Sequence, residues 1–329
     1  MDSGTIKFEN PWKYLCEDFC WIFTHLYDVV VEFILRNSIL AIRFSAKDIE
    51  NNDAPKSELD LADPMNWISI LYQITMFILT IPIALFYPLI ALKTKSDQQV
   101  RPPTLQTGDE KSKERWFFIN GVAVDYGWLD ENCKYIEKRF NKGVTGILNS
   151  SYGIFWDSVE TILVRSFDID VTAVRFATEN ILPVLKDEKI ETVRLLAHSE
   201  GTVMANLVMR KLYMELSFTN EVDFLKKLEV YTFANVSREF INPNNLVRRI
   251  EHYANKRDPV AMIGVLSNID NKSRFQGEIF VNENRNDGKG HLLNTFYSFN
   301  ASDYKSLRSN SPPSLLNLPG FVDNLPIKL

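Results

Sequence analysis

One stretch of this sequence holds the residue types a nucleophilic site requires, in a usable order. Val193-Arg194-Leu195-Leu196-Ala197-His198-Ser199-Glu200-Gly201-Thr202 runs from an apolar segment into a small-x-Ser-x-Gly turn, and apolar residues at helical spacing continue to Leu216. A strand, a sharp turn and a helix can hold a serine hydroxyl clear of a sheet edge, at the positive end of the helix. Such a turn is crowded, so the residues two before and two after the serine must be small, as Ala197 and Gly201 are. The same pattern arises by chance around ordinary turn serines, so Ser199 needs partners. His198 would point away from the hydroxyl and pack or hydrogen-bond beneath the turn.

A nucleophilic serine needs a base and an acid that orients the base, and after this kind of turn they follow as Asp or Glu, then His. The chain has four histidines: His25, His198, His252 and His291. His252 lies inside a predicted strand and reads as structural. His291 lies in Asp287-Gly288-Lys289-Gly290-His291-Leu292-Leu293, a glycine-flanked loop after the last predicted strand, suited to presenting an imidazole at the sheet edge. Asp258, in Asn255-Lys256-Arg257-Asp258-Pro259, is the first choice for the acid; Asp270 and Asp287 lack a preceding strand to fix them. Asp258 also reads as a helix N-cap before Pro259, a purely structural role. The N–H groups that would hold an oxyanion are those of Glu200 and of Val122 (or Ala123), in the loop Asn120-Gly121-Val122-Ala123. Gly121 permits close backbone approach. Only the Glu200 N–H would be used, so its carboxylate must point away from the developing charge.

Elements able to position these residues begin at Arg115. Predicted strands are Trp116–Ile119, Val144–Leu148, Thr192–Ala197, Leu228–Ala234, Arg249–Ala254 and Glu278–Asn282; predicted helices are Leu129–Phe140, Ile154–Val164, Val171–Leu185 and Gly201–Leu216. Strands alternating with helices of that length imply an α/β class, a mostly parallel sheet flanked by helices. Ser150–Phe167 and the N-terminal helices are the segments expected to wall the pocket.

The chain has 329 residues, 45% hydrophobic and 24% charged, with a net charge of −5. That composition excludes a disordered or fibrous chain, and the charge gives no reason to expect nucleic-acid binding. Three cysteines, Cys16, Cys20 and Cys133, are too few for a disulfide framework, and no His or Cys spacing suggests a metal site. No cofactor is expected. Residues 65–92 form an uncharged 28-residue run, with Trp67 and Tyr87 toward its ends. About 20 apolar residues suffice to cross a bilayer, so a transmembrane or membrane-embedded helix is expected there. Phe19–Leu35 carries Asp28 and Glu32 and reads as an amphipathic, interfacial helix. Residues 1–64 are thus an N-terminal helical region ending in an acidic loop, 93–114 a linker, 115–300 the α/β domain and 301–329 a Pro- and Ser-containing tail. Lys93, Lys95 and Arg101 place the α/β domain on the cytosolic side.

Several runs together resemble fungal membrane-associated α/β-hydrolase-like proteins of the lipase or esterase kind: Phe117-Phe118-Ile119-Asn120-Gly121-Val122, Trp128-Leu129 with Asn132, Val144 to Asn149, Ala197 to Gly201, Tyr253-Ala254-Asn255 with Asp258, Val260 and Ala261, Gly264-Val265-Leu266 and Gly290 to Asn294. The resemblance covers roughly 116–299 and also Pro11-Trp12-Lys13-Tyr14. It implies the α/β-hydrolase fold and Ser199, Asp258 and His291 as a catalytic triad. The function expected is a membrane-anchored serine hydrolase cleaving a carboxylic ester, of a lipid or another apolar molecule, on an intracellular membrane such as the endoplasmic reticulum. A catalytically inactive scaffold or tether of the same fold, and an acyltransferase using the same triad, are the alternatives.

Overall fold

The computed structural model describes residues 10–25, 71, 75, 99–104, 113–151, 154–283 and 290–318. Its centre is a sheet of six parallel strands: β2 (Glu114–Ile119), β3 (Val144–Ile147), β4 (Thr192–His198), β5 (Leu228–Phe233), β6 (Arg249–Asn255) and β7 (Glu278–Asn282). Two short antiparallel strands, β1 (Val100–Arg101) and β8 (Tyr304–Ser306), complete the order β1-β3-β2-β4-β5-β6-β7-β8. Parallel neighbours need crossovers, and helices supply them. α2 (Tyr126–Phe140) follows β2, α3 (Ile154–Phe167) and α4 (Thr172–Lys186) follow β3, and α5 (Glu200–Phe218) follows β4.

The central strands read as continuous apolar runs because both faces of the sheet are covered. Phe117, Ile119, Leu195 and Val230 pack on one side with residues of α3, α4 and α5. Trp116, Phe118, Leu196, Tyr231 and Phe233 pack on the other with Leu129, Cys133 and Ile136 of α2. Ile119 is in register with Ala197, and Ala197 with Thr232, so the loops leaving β2, β4 and β5 emerge side by side at the carboxyl edge. In open α/β sheets this edge is where ligands bind.

Two strands fall in segments without a strand pattern. β1 lies in the stretch read as linker and β8 in the stretch read as tail, and Leu315 and Leu316 of that tail are buried in the core. Strands of two and three residues are too short to show a period of two. What holds β1 is charge. Arg101, read from sequence as a juxtamembrane cation, is buried and bonded to Glu137 at 2.7 Å and to Asp130 at 2.8 Å.

At the N-terminus, α1 (Pro11–Thr24) starts at Asn10, whose side chain accepts the Trp12 N–H, with Pro11 in the first helical position. It covers the first residues of the expected Phe19–Leu35 helix; residues 26–35 lie outside the described residues. So does the run 65–92, apart from Leu71 and Thr75. Among the described residues no helix is long and apolar enough to cross a membrane.

Candidate active site

β4 ends at His198 and the chain turns into α5 at Ser199, with φ 56° and ψ −126°. A non-glycine residue seldom takes a positive φ, and its neighbours hold this one there. The Ser199 N–H donates to the Phe233 carbonyl at 3.0 Å, and the N–H and hydroxyl of Thr202 both donate to the Ser199 carbonyl, at 2.9 and 2.6 Å. The small residues expected around the turn have visible reasons. A Cβ on Gly201 would lie 2.5 Å from the carbonyl oxygens of both Ile119 and Asn120. A Cβ on Gly121 would lie 2.7 Å from Ser199 Cβ and 3.2 Å from its Oγ. Ala197 is buried beside Ile119.

The structure brings Ser199, His291 and Asp258 into one hydrogen-bonded chain. Ser199 Oγ is 2.9 Å from His291 Nε2, and His291 Nδ1 is 3.0 and 3.2 Å from the two oxygens of Asp258. An ionised carboxylate only accepts, which assigns the imidazole proton to Nδ1 and leaves Nε2 to accept the serine O–H. All three residues are buried. The Asp258 carboxylate has two sets of partners. It caps α6 (Pro259–Ile263) by accepting the Val260 N–H at 2.9 Å, and it receives His291.

Three further residues hold this chain in place, and of these only His198 was singled out from sequence, as a packing or hydrogen-bonding residue beneath the turn. The Tyr297 hydroxyl donates to Asp258 Oδ2 at 2.7 Å. Burial, with the Asp258 charge beside it, pushes that hydroxyl well above the usual tyrosine range, so it stays a donor. The Asn255 side chain, at the end of β6, donates to the carbonyls of Gly290 and Phe296 at 3.1 and 3.0 Å, tying the His291 loop to the sheet. His198 lies beneath the turn and hydrogen-bonds there, as expected. Its Nε2–H donates to the His291 carbonyl at 2.9 Å, and the two rings lie 4.7 Å apart. Burial, and secondarily His291, pushes His198 well below the usual histidine range, so it remains neutral.

The loop after β2 lies against Ser199. The two amides considered there divide: the Ala123 N–H is bonded to Asp157 Oδ2 at 2.8 Å, which leaves Val122 as the candidate. Asp157, in the first turn of α3, also accepts the Ser151 hydroxyl, so it pins the loop whose Ala123 has φ 58°. The Asn120 side chain donates to the carbonyls of Gly121 and Asn149 at 2.9 and 3.1 Å and accepts the Asn149 N–H at 2.7 Å. Glu200 is fully buried, and its carboxylate accepts from Asn149 Nδ2 at 2.6 Å. That bond holds the acid to the loop after β3, while its N–H belongs to the first turn of α5.

The remaining candidates lie elsewhere. His252 is bonded to Thr232 at 2.7 Å and to the Gln276 carbonyl at 2.9 Å, and burial pushes it down to about 3, so it is structural as read. Asp270 is exposed, and Asp287 lies outside the described residues. Among the described residues no cluster of His, Cys, Asp or Glu could hold a metal ion. Cys133 is buried with its thiol pushed up by burial, while Cys16 and Cys20 are exposed. Compared with protein-family models and with curated proteins, the sequence matches none of them.

Proposed function

We propose that this chain is a serine hydrolase of the α/β-hydrolase kind, cleaving a carboxylic ester with Ser199 as nucleophile. The observation that carries it is the buried run of hydrogen bonds from Ser199 Oγ through His291 to Asp258. Ser199 Oγ attacks the ester carbonyl carbon as His291 Nε2 takes the hydroxyl proton. The carbonyl oxygen becomes an oxyanion, held by the N–H groups of Val122 and Glu200. The C–O bond then breaks, and the alcohol leaves with the proton from His291. Water repeats the cycle on the acyl-enzyme and releases the acid. Asp258 keeps the imidazole in the working tautomer and stabilises its transient positive charge.

The substrate class we propose is a lipid or other apolar ester, because residues 65–92 form an uncharged run long enough for a bilayer. That run would anchor the chain on an intracellular membrane, with Lys93 and Lys95 keeping the α/β domain on the cytosolic side. The test is labelling by a fluorophosphonate. Wild-type protein should react and Ser199→Ala should not, with both folded by circular dichroism. Equal labelling of the two would remove Ser199 from the mechanism, and a folded wild type that resists every such probe would favour an inactive scaffold. Product analysis with an added alcohol separates hydrolysis from acyl transfer.

A further inference from the structure

Helix α1 buries a charge and turns large aromatics outward, against the usual pattern. Its inward face sets Asp18 and Tyr14 among arginines, with Leu15, Trp21 and Ile22 half-buried beside them. Asp18 is buried, 2.6 Å from Arg238 and 3.6 Å from Arg165. The Tyr14 ring lies beneath the guanidinium groups of Arg238 and Arg274, 4.4 and 5.1 Å from its centroid, and Arg274 donates to the Tyr14 hydroxyl at 2.7 Å. The outward face is apolar. Trp12, Cys16, Phe19, Cys20 and Phe23 recur at helical spacing and form one stripe. Trp12, Phe19 and Phe23 are 64%, 52% and 78% exposed, and both cysteines are exposed. The neighbouring charges, Lys13 and Glu17, face each other at 3.9 Å.

Water alone on that side would leave Phe19 and Phe23 wet, and Trp12 beyond its edge contact with Phe167 5.5 Å away, while Asp18 is desolvated. A lipid surface resolves the inversion: protein covers the Asp18 face and the acyl–headgroup boundary covers the aromatic one. We propose that the stripe from Trp12 to Phe23 seats α1 on the surface of a bilayer, so that the helix fixes the height and tilt of the Ser199 domain above it. The proposal rests on the membrane assignment of Met65–Leu92. Leu92 and Gln99 are seven residues apart, at most about 25 Å of extended chain, so a bilayer holding that run lies within reach of the domain. With Lys13 offset by Glu17, the stripe needs no anionic lipid, and phosphatidylcholine should suffice.

Full-length Cys16→Ser protein carries one exposed thiol, Cys20, because Cys133 is buried. A bimane attached there, with the chain incorporated into phosphatidylcholine vesicles, reports quenching by nitroxide lipids and by aqueous iodide. The reference label sits at Lys138→Cys, in protein lacking Cys16 and Cys20. Lys138 is exposed on α2, across the sheet from α3. The Cys20 label should be quenched by nitroxide lipids several-fold more than the reference and by iodide several-fold less. A Cys20 label as open to iodide as the reference overturns the proposal. So does one closed to both quenchers, which would mean that a second copy or residues 26–98 cover the stripe. Vesicle flotation separates the two readings: a chain that floats with its Cys20 label in water loses the stripe and keeps the anchor, and a chain that does not float loses both.

Discussion

Replacing Gly121 by alanine tests how tightly the loop after β2 is set against the nucleophile. The added Cβ would stand 2.7 Å from Ser199 Cβ and 3.2 Å from both Ser199 Oγ and the His198 carbonyl, where ordinary contact begins at 3.4 Å. Gly121 does not have a positive φ, so alanine can adopt its backbone and the cost is steric alone. The loop and the turn must part by about 0.7 Å to bring the 2.7 Å approach to Ser199 Cβ up to ordinary contact at 3.4 Å, which shifts the Gly121 loop relative to the nucleophile. Overpacking of this size costs about 1–3 kcal/mol, a fall of a few degrees in Tm. A misplacement approaching 1 Å costs catalysis more, about 100-fold in rate. The second-order rate constant for fluorophosphonate labelling should therefore fall about 100-fold in a variant that still melts cooperatively. Gly127→Ala, where the new Cβ meets only the tip of the Asp125 side chain at 3.3 Å, should leave that rate unchanged. A Gly121→Ala protein that labels at the wild-type rate would refute the juxtaposition of this loop with the reaction centre.

Asp258→Asn preserves the cap on α6, since asparagine caps as well as aspartate, so folding should survive while the labelling rate drops by roughly 10³–10⁴; a loss under tenfold would take Asp258 out of the mechanism. Tyr297→Phe removes one donor from a buried carboxylate at a cost of about 1.5–3 kcal/mol in stability. With that donor gone the carboxylate is held less firmly against His291, so the labelling rate of the folded variant should fall; an unchanged rate would make Tyr297 a packing residue only. Folding stability should fall as pH drops below the usual histidine value of 6.5, because unfolding lets His252, held down at about 3 by burial, take up a proton. The loss from this side chain is about 2 kcal/mol between pH 7 and pH 5, with His198 acting in the same direction, and urea titrations at the two pH values measure it. A midpoint that stays level or rises on acidification would contradict the burial of both rings.

What could be read from the sequence and what could not divide along physical lines. Ser199 was legible because a tight turn between strand and helix demands small neighbours, and that demand is written in adjacent positions. His291 was legible through scarcity, since few histidines were available and His252 fell inside a strand. Asp258 was legible from its place after a strand, although the same place suited a cap, and the carboxylate both caps α6 and contacts His291. Tyr297, Asn255, Asn149, Asp157 and the His198 contact act through bonds to residues 29 to 93 positions away. Such bonds leave no periodicity and no local pattern. The edge strands β1 and β8 were hidden for the opposite reason: they are local but too short to repeat. The ionic side of α1 could not be inferred because Arg238 and Arg274 come from the far end of the chain.

The most direct measurement is the site of covalent modification. Trypsin releases Ser199 in the peptide Leu195–Arg210, between cleavage after Arg194 and after Arg210. After reaction of the folded, full-length protein with a fluorophosphonate, the phosphonyl mass should be found on Ser199 in that peptide, in stoichiometric yield and nowhere else. Modification of a different residue, or none at all in protein shown to be folded, would contradict a nucleophilic role for this serine.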